Sequence, residues 1–472
     1  MQQSKVISIL RCLGLKEIRR LDDFIQSPYF GAGPDVQALW AALATRAPAF
    51  ADEAVDRYAV MQAAFPGRPL PTDAEIGRLL NALLQLVEQF LAHESLRQAP
   101  ADMAYRILLT YHRHGLDKHF QSSLRRVHRL LDEMPYRNEE WLHLQFSVAG
   151  TEARNQVHNQ ARTTDVHLAR MAATIDDYYY STRLRLTCEL VNRQQILSSP
   201  SETALRDFAQ HLLAACAHST APGVRLYAQL LRLLTEGEDS SHYDLLRARM
   251  AEHKAILAPD ELLELYSYAQ NYCIRRIRLG DSAFLRALFD LYQVMVHDGA
   301  LLENAELSPW KYKNIASVGL QLGEFAWVED FVTRYRPYLP ESFRDNAYAY
   351  NMADLAYHRG DYATALRTLV QVEFSDVFYA LDTRKMLLKI YYQQGATEPL
   401  ISLIQAFRTF LRRHKLISES NRQAYHNFIL LVNALWKAQS QGDAKHLHAL
   451  LESTQPLVEE AWLRKMAEEL ID

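Results

Sequence analysis

Three glycines, Gly323, Gly360 and Gly395, each end one amphipathic run and open another, and they stand 37 and then 35 residues apart. A helix–turn–helix unit repeated at that interval cannot bury its apolar face alone, so the neighbouring units must supply each other's core. The middle unit, Tyr350–Val372, is the clearest. Met352, Leu355 and Ala356 line one face of a first helix, and Ala365, Leu369 and Val372 line one face of a second. Gly360 falls where the first helix must stop, and Asp361 is placed to cap the next. Ala353 and Ala365 are small where paired helices cross closely. Upstream, Tyr312–Pro340 carries Ile315-Ala316 before Gly323-Glu-Phe. Downstream, Lys385–Leu411 carries Leu387 and Tyr391 before Gly395, with Leu400, Phe407 and Leu411 behind it.

Asn351-Met-Ala, Gly360-Asp-Tyr and Ala365-Leu together resemble the tetratricopeptide repeat, whose period is about 34 residues. The Trp, Leu and Gly of that family's first helix are mostly replaced, so these are divergent copies. The resemblance implies an all-α fold, a TPR-like α-solenoid of antiparallel helix pairs wound into a right-handed superhelix. It also implies a concave groove, lined by the first helices, that holds a peptide or a partner's helix. One subclass of the family grips a C-terminal carboxylate with a Lys and an Asn four residues later, an Asn in the next unit, and a Lys and an Arg in the third. Here Lys313 matches the first lysine and Asn351 the second unit's asparagine. Ser317 replaces the other asparagine, and Asp382 and Met386 stand where the third unit's Lys and Arg belong, with Arg384 and Lys385 close by. A modified groove would therefore use Tyr312, Lys313, Tyr350, Asn351 and Lys385.

The reading divides the chain into an N-terminal helical cap, residues 1–100, and a repeat array, residues 101–472, clearest over 311–411. In the cap, Lys16–Gln26 is amphipathic and stops at Ser27-Pro28, because the residue before a proline avoids helical geometry. Pro34–Ala44 starts with a first-turn proline, and Asp52–Phe65 follows. Thr72 caps a long helix, Asp73–Leu96, with a broad apolar stripe from Ile76 to Leu91. Phe24–Phe30, reading Phe-x-x-Ser-Pro-Tyr-Phe, resembles a group of bacterial helical proteins of no established function. Beyond the cap, Gly115, Gly237, Gly280 and Gly442 mark further turns. The polar run Thr151–Asp165 has few apolar anchors and reads as an exposed helix or a connection. A last helix, Leu457–Leu470, exposes Glu459, Glu460, Glu468 and Glu469, the polar outer face that a terminal capping helix needs.

Sixteen glycines and sixteen prolines in 472 residues favour helix over a turn-rich β fold. A net charge of −4 is nearly balanced and argues against a strongly basic nucleic-acid binder. Basic clusters of Arg125, Arg126 and Arg129, of Arg275, Arg276 and Arg278, and of Arg408, Arg412, Arg413 and Lys415 keep an RNA-binding alternative open. A regulator that changes curvature on ligand binding is a third reading. Cys12, Cys188, Cys216 and Cys273 form no CxxC and read as thiols of a reducing compartment. No stretch is apolar enough to span a membrane, and the N-terminal apolar run is too short for a leader, so the expected location is the cytoplasm. Phosphate-loop, dinucleotide, nucleophile-elbow and zincin motifs are all missing from the sequence. His112 and His114 flank an expected helix end, where interaction with the helix dipole is the plainer reading than a metal shared with His119. The adjacent acids Asp22-Asp23, Glu139-Glu140 and Asp176-Asp177 point apart on a helix. The expectation is a non-enzymatic interaction scaffold without a cofactor, binding a protein or peptide.

Overall fold

A computed structural model describes residues 1–158, 166–197, 202–236, 239–302, 304–370, 377–441 and 446–470. Among the described residues the chain is all-helical, with twenty-three α-helices and no β-strand. Most successive helices pack against each other, and the chain divides into two compact units. The first comprises Met1–Thr187 with Asp207–Ala228, and the second Cys188–Arg206 with Gln229–Asp472.

In the first unit, residues 1–98 hold a core of their own, running from Val6 to Phe90. The helix Leu15–Gln26 begins where the Glu17 carboxylate accepts the Gly14 N–H at 2.8 Å, and it ends as expected at Ser27. Its Phe24 stacks on Phe30 at 3.7 Å and meets the edge of Phe90 at 5.7 Å, which is the packing role of the aromatic motif. Pro34–Ala44 buries Trp40 completely, and the indole N–H donates to Asp22 at 2.8 Å. Thr72 and Glu75 cap Asp73–Gln98 reciprocally. The helix expected over Asp52–Phe65 is shorter, Arg57–Ala64. The Asp56 carboxylate accepts the Ala59 N–H at 3.0 Å and sets the start there.

The polar run that begins at Thr151 is helical to His158, and of residues 151–156 only Arg154 is exposed. Thr151, Glu152 and Asn155 are buried. Glu152 meets His128 at 2.9 Å and Arg170 at 3.4 Å, and Asn155 meets His112 at 3.1 Å. Side-chain pairing substitutes there for apolar anchoring. Residues 159–165 of that run, and the expected turns at Gly237 and Gly442, lie outside the described residues.

In the second unit the glycine turns share one geometry. Gly360 has φ +80°, its N–H donates to the Tyr357 carbonyl at 3.0 Å, and the Asp361 N–H donates to the Ala356 carbonyl at 2.9 Å. Gly280, Gly323 and Gly395 repeat this pair of bonds, all with positive φ, and so does Gly115 in the first unit. Each is a Schellman stop, which requires the left-handed conformation that glycine adopts without a Cβ penalty. Asp361 then caps Tyr362–Val370 by accepting the Thr364 N–H at 3.0 Å. The hairpins Pro309–Gln321/Phe325–Tyr335, Glu341–His358/Tyr362–Val370 and Val377–Gln393/Thr397–Arg413 follow one another. Ala353 and Ala365 are fully buried. Among the described glycines the tightest approach is at Gly319, where a Cβ would stand 2.5 Å from Val328 Cγ2. Val372 lies outside the described residues.

The last helix starts at Glu460 and runs to Glu468. Glu459 precedes it with φ +58°, so the acidic residue expected on an outer helix face is turned onto a different course.

Candidate functional site

Five segments of the second unit line a cavity of about 540 Å³, among them Tyr362–Val370 through Tyr362. Pro309–Gln321 supplies Ser317 and Gln321. Glu341–His358 supplies Tyr350, Asp354, Tyr357 and His358. Val377–Gln393 supplies Lys385, Met386 and Lys389, and the C-terminal segment supplies Glu459, Trp462 and Met466. Asp382, Lys385 and Lys389 are three and then four residues apart, a spacing that places them on one helix face.

That face carries a chain of alternating charge. Lys313 bonds Asp382, reaching across from the first hairpin. Lys385 stands 3.4 Å from Asp382 and 2.8 Å from Glu459, and Lys389 also holds Glu459 at 2.8 Å. The Tyr425 hydroxyl donates to Asp382 at 3.4 Å. The Lys389 ammonium lies over the rings of Tyr357, at 4.7 Å, and Trp462, at 5.8 Å. Lys313 lies over Trp310 and Tyr379 in the same way.

Burial alone would push the Glu459 carboxyl up, but Lys385 and Lys389 outweigh it and hold it down to about 2. Burial would push the Lys385 ammonium down, but Asp382 and Glu459 together hold it well above the usual lysine range. Asp382 is lowered, with Lys385 and Lys313 overcoming its burial. Asp354 goes the other way. Its burial dominates the pull of Lys389 and Lys385, and with repulsion from Glu459 and Asp382 it rises to about 6. His358, 3.6 Å from Asp354, is lowered to about 4 by burial and by Lys389, so its imidazole is neutral at pH 7.

The five residues singled out from the sequence divide in two. Lys313 and Lys385 converge on Asp382, one of the three residues that depart from the carboxylate-gripping pattern. Tyr350 lines the cavity with 5% exposure and sets its ring edge-on to Tyr379. Tyr312 is fully buried, its hydroxyl donating to the Val332 carbonyl at 2.6 Å. Asn351 is fully buried as well, its amide donating to the Ala347 carbonyl at 2.7 Å while its Oδ1 has no partner. Sequence reasoning missed Lys389, Asp354 and above all Glu459. The i, i+3, i+7 spacing of Asp382, Lys385 and Lys389 was a usable signal for the lysine. Nothing local marks Glu459, which pairs with a residue 70 positions away.

Glu459 is the unusual element. It occupies the N-cap position of the last helix without capping it, because its side chain is turned to the two lysines. Left-handed backbone costs a residue with a Cβ about 1–2 kcal/mol, so the ion pairs hold this segment against a local cost.

The other clusters are more ordinary. Arg125, Arg126 and Arg129 carry no comparable buried pairing, and Arg408, Arg412 and Arg413 lie near the end of Thr397–Arg413. Arg276 pairs with Asp281 at 2.7 Å and Arg275 lies over Tyr272. Among the described residues, no group of three or more His, Cys, Asp or Glu is arranged to hold a metal ion, and no helix is long and apolar enough to cross a membrane. No protein-family model, no curated protein and no solved structure matches the chain.

Proposed function

We propose that this chain is a non-enzymatic interaction protein, a divergent TPR-like α-solenoid that holds an acidic segment of a partner protein in the cavity beside Lys385 and Lys389. One observation carries the reading: those two lysines already hold a carboxylate, that of Glu459, in a cavity roomy enough for further side chains. The same site offers Met386, Trp462 and Tyr357 to apolar or aromatic neighbours of that carboxylate. Repeated hairpins suit this work because they build a long binding surface from ordinary helix packing.

The test is binding of fluorescein-labelled peptides with Asp or Glu beside an aromatic residue, against Lys-rich peptides of equal length. The reading expects acidic peptides alone to bind, with affinity falling as salt rises and at least about tenfold weaker in Lys389→Met, the loss of one close ion pair. Equal binding of acidic and basic peptides, or indifference to Lys389→Met in a folded variant, would refute it.

A further inference from the structure

We propose that Glu459 is an internal competitor for this site, a carboxylate of the chain's own that an incoming acidic segment must displace from Lys385 and Lys389. The inference rests on the reading above. It stands on a contrast between the two carboxylates of the charged chain. Asp382 belongs to the same helix as Lys385 and is held by Lys313, Lys385 and Tyr425, with its side chain 13% exposed. It is a fixed part of the wall. Glu459 comes from the connection between two short helices, its side chain is 25% exposed, and its partners are the two lysines.

Withdrawing that carboxylate does not require the last helix to leave. Leu463, Met466 and Ala467 are buried in the core, and Asn427 holds the Pro456 carbonyl at 2.9 Å. These anchors flank Glu459 on both sides. The swing is therefore local to one residue, whose left-handed backbone relaxes when the side chain lets go. After the swing Lys385 keeps Asp382, while Lys389 is left with two aromatic rings and no carboxylate within ion-pair distance among the described residues. Lys389 is then the point where a partner's carboxylate lands. The exchange replaces one lysine–carboxylate pair by another, so affinity is set by what else the partner brings to the cavity.

The experiment compares the full chain with Glu459→Gln, Glu459→Gly and the exposed control Glu468→Gln. Glycine removes the carboxylate and takes positive φ without strain, so it guards against misfolding of the glutamine variant. Two quantities are read: affinity for the acidic fluorescent peptide, and the rate at which an amine-reactive ester acylates Lys385 and Lys389, located by mass spectrometry. The proposal expects at least about tenfold tighter binding and several-fold faster acylation in both Glu459 variants, with Glu468→Gln unchanged. Equal affinity in all four proteins overturns the competitor and leaves the acidic-segment reading standing. No peptide binding to any of them, even with faster acylation, overturns the reading and the competitor with it.

Discussion

The described residues of 1–98 and of 309–468 are helical and both bury an apolar core, but the later stretch adds a chain of buried charges. The N-terminal block buries Trp40, Phe90 and a run of Leu, Ile and Val, and its ion pairs, such as Arg20–Glu94 and Arg11–Asp52, each keep a partner a third or more exposed. The later stretch sets Lys313, Asp382, Lys385, Lys389 and Glu459 among aromatic rings, every one of them a quarter exposed or less. Apolar cores are the easier way to stability, since desolvating two charges offsets most of what their pairing returns. The later stretch has an apolar core as well, from Leu381 to Ala467, so its buried charges are an addition to that core rather than a substitute for it. That contrast is the physical basis for placing the site at residues 309–468.

The largest effect expected from this contrast is the asymmetry between two cation deletions. Lys385→Ala leaves Asp382 and Glu459 facing each other with half their compensation gone, and should cost about 3 kcal/mol. Arg20→Ala, at an exposed pair, should cost less than about 1 kcal/mol. Chemical denaturation of both variants decides it, and equal costs would erase the distinction.

Next in size is a pH effect. Asp354 faces Lys385, Lys389, His358, Glu459 and Asp382, and its folded value, about 6, lies above the ordinary carboxylate value. The folded state therefore binds this proton more tightly than the unfolded chain. The resulting stability cost is complete above pH 6 and disappears as pH falls towards 4. Asp354→Asn should stabilise the protein at pH 7.5 by on the order of 2 kcal/mol, and the gain should vanish near pH 4. Melting temperatures of the two proteins across that range test this, and a gain independent of pH would count against it.

The smallest effects belong to two glycines of opposite sign. Gly360→Ala forces a Cβ into a left-handed turn at φ +80° and should destabilise by about 1 kcal/mol. Gly77→Ala, within the helix Asp73–Gln98 and with open space around the new Cβ, should stabilise by about 0.5–1 kcal/mol. Thermal unfolding of the pair reads both signs, and a shared sign would mean that the turns are not what fixes the hairpins.

Much of the fold was legible because helix stops are written locally. A glycine that must take positive φ, an aspartate three residues before a free N–H, and a proline in the first turn each act within four residues, so Gly360, Asp361 and Pro34 could be read directly. The site was legible only in part, because polar side chains are turned inward by partners distant in sequence. Lys313 and Lys385 were found, but Asp382 looked like a defect in a binding pattern until it was seen to be their shared partner. Tyr312 and Asn351 looked like groove residues, yet their hydrogen bonds are made within the core, to Val332 and Ala347. Glu459 was read as part of an exposed helix face, because the turn that redirects it is stabilised by lysines 70 or more residues away in the chain.

The most direct test of the account is the titration of the Glu459 carboxyl, followed by NMR of protein carrying ¹³C-labelled glutamate and assigned with Glu459→Gln. Seated on Lys385 and Lys389, it should stay ionised through the range where the exposed glutamates titrate, with its own midpoint near 2 as long as the chain remains folded. Titration together with the exposed glutamates would show that the two lysines do not hold it, and the carboxylate site would lose its foundation.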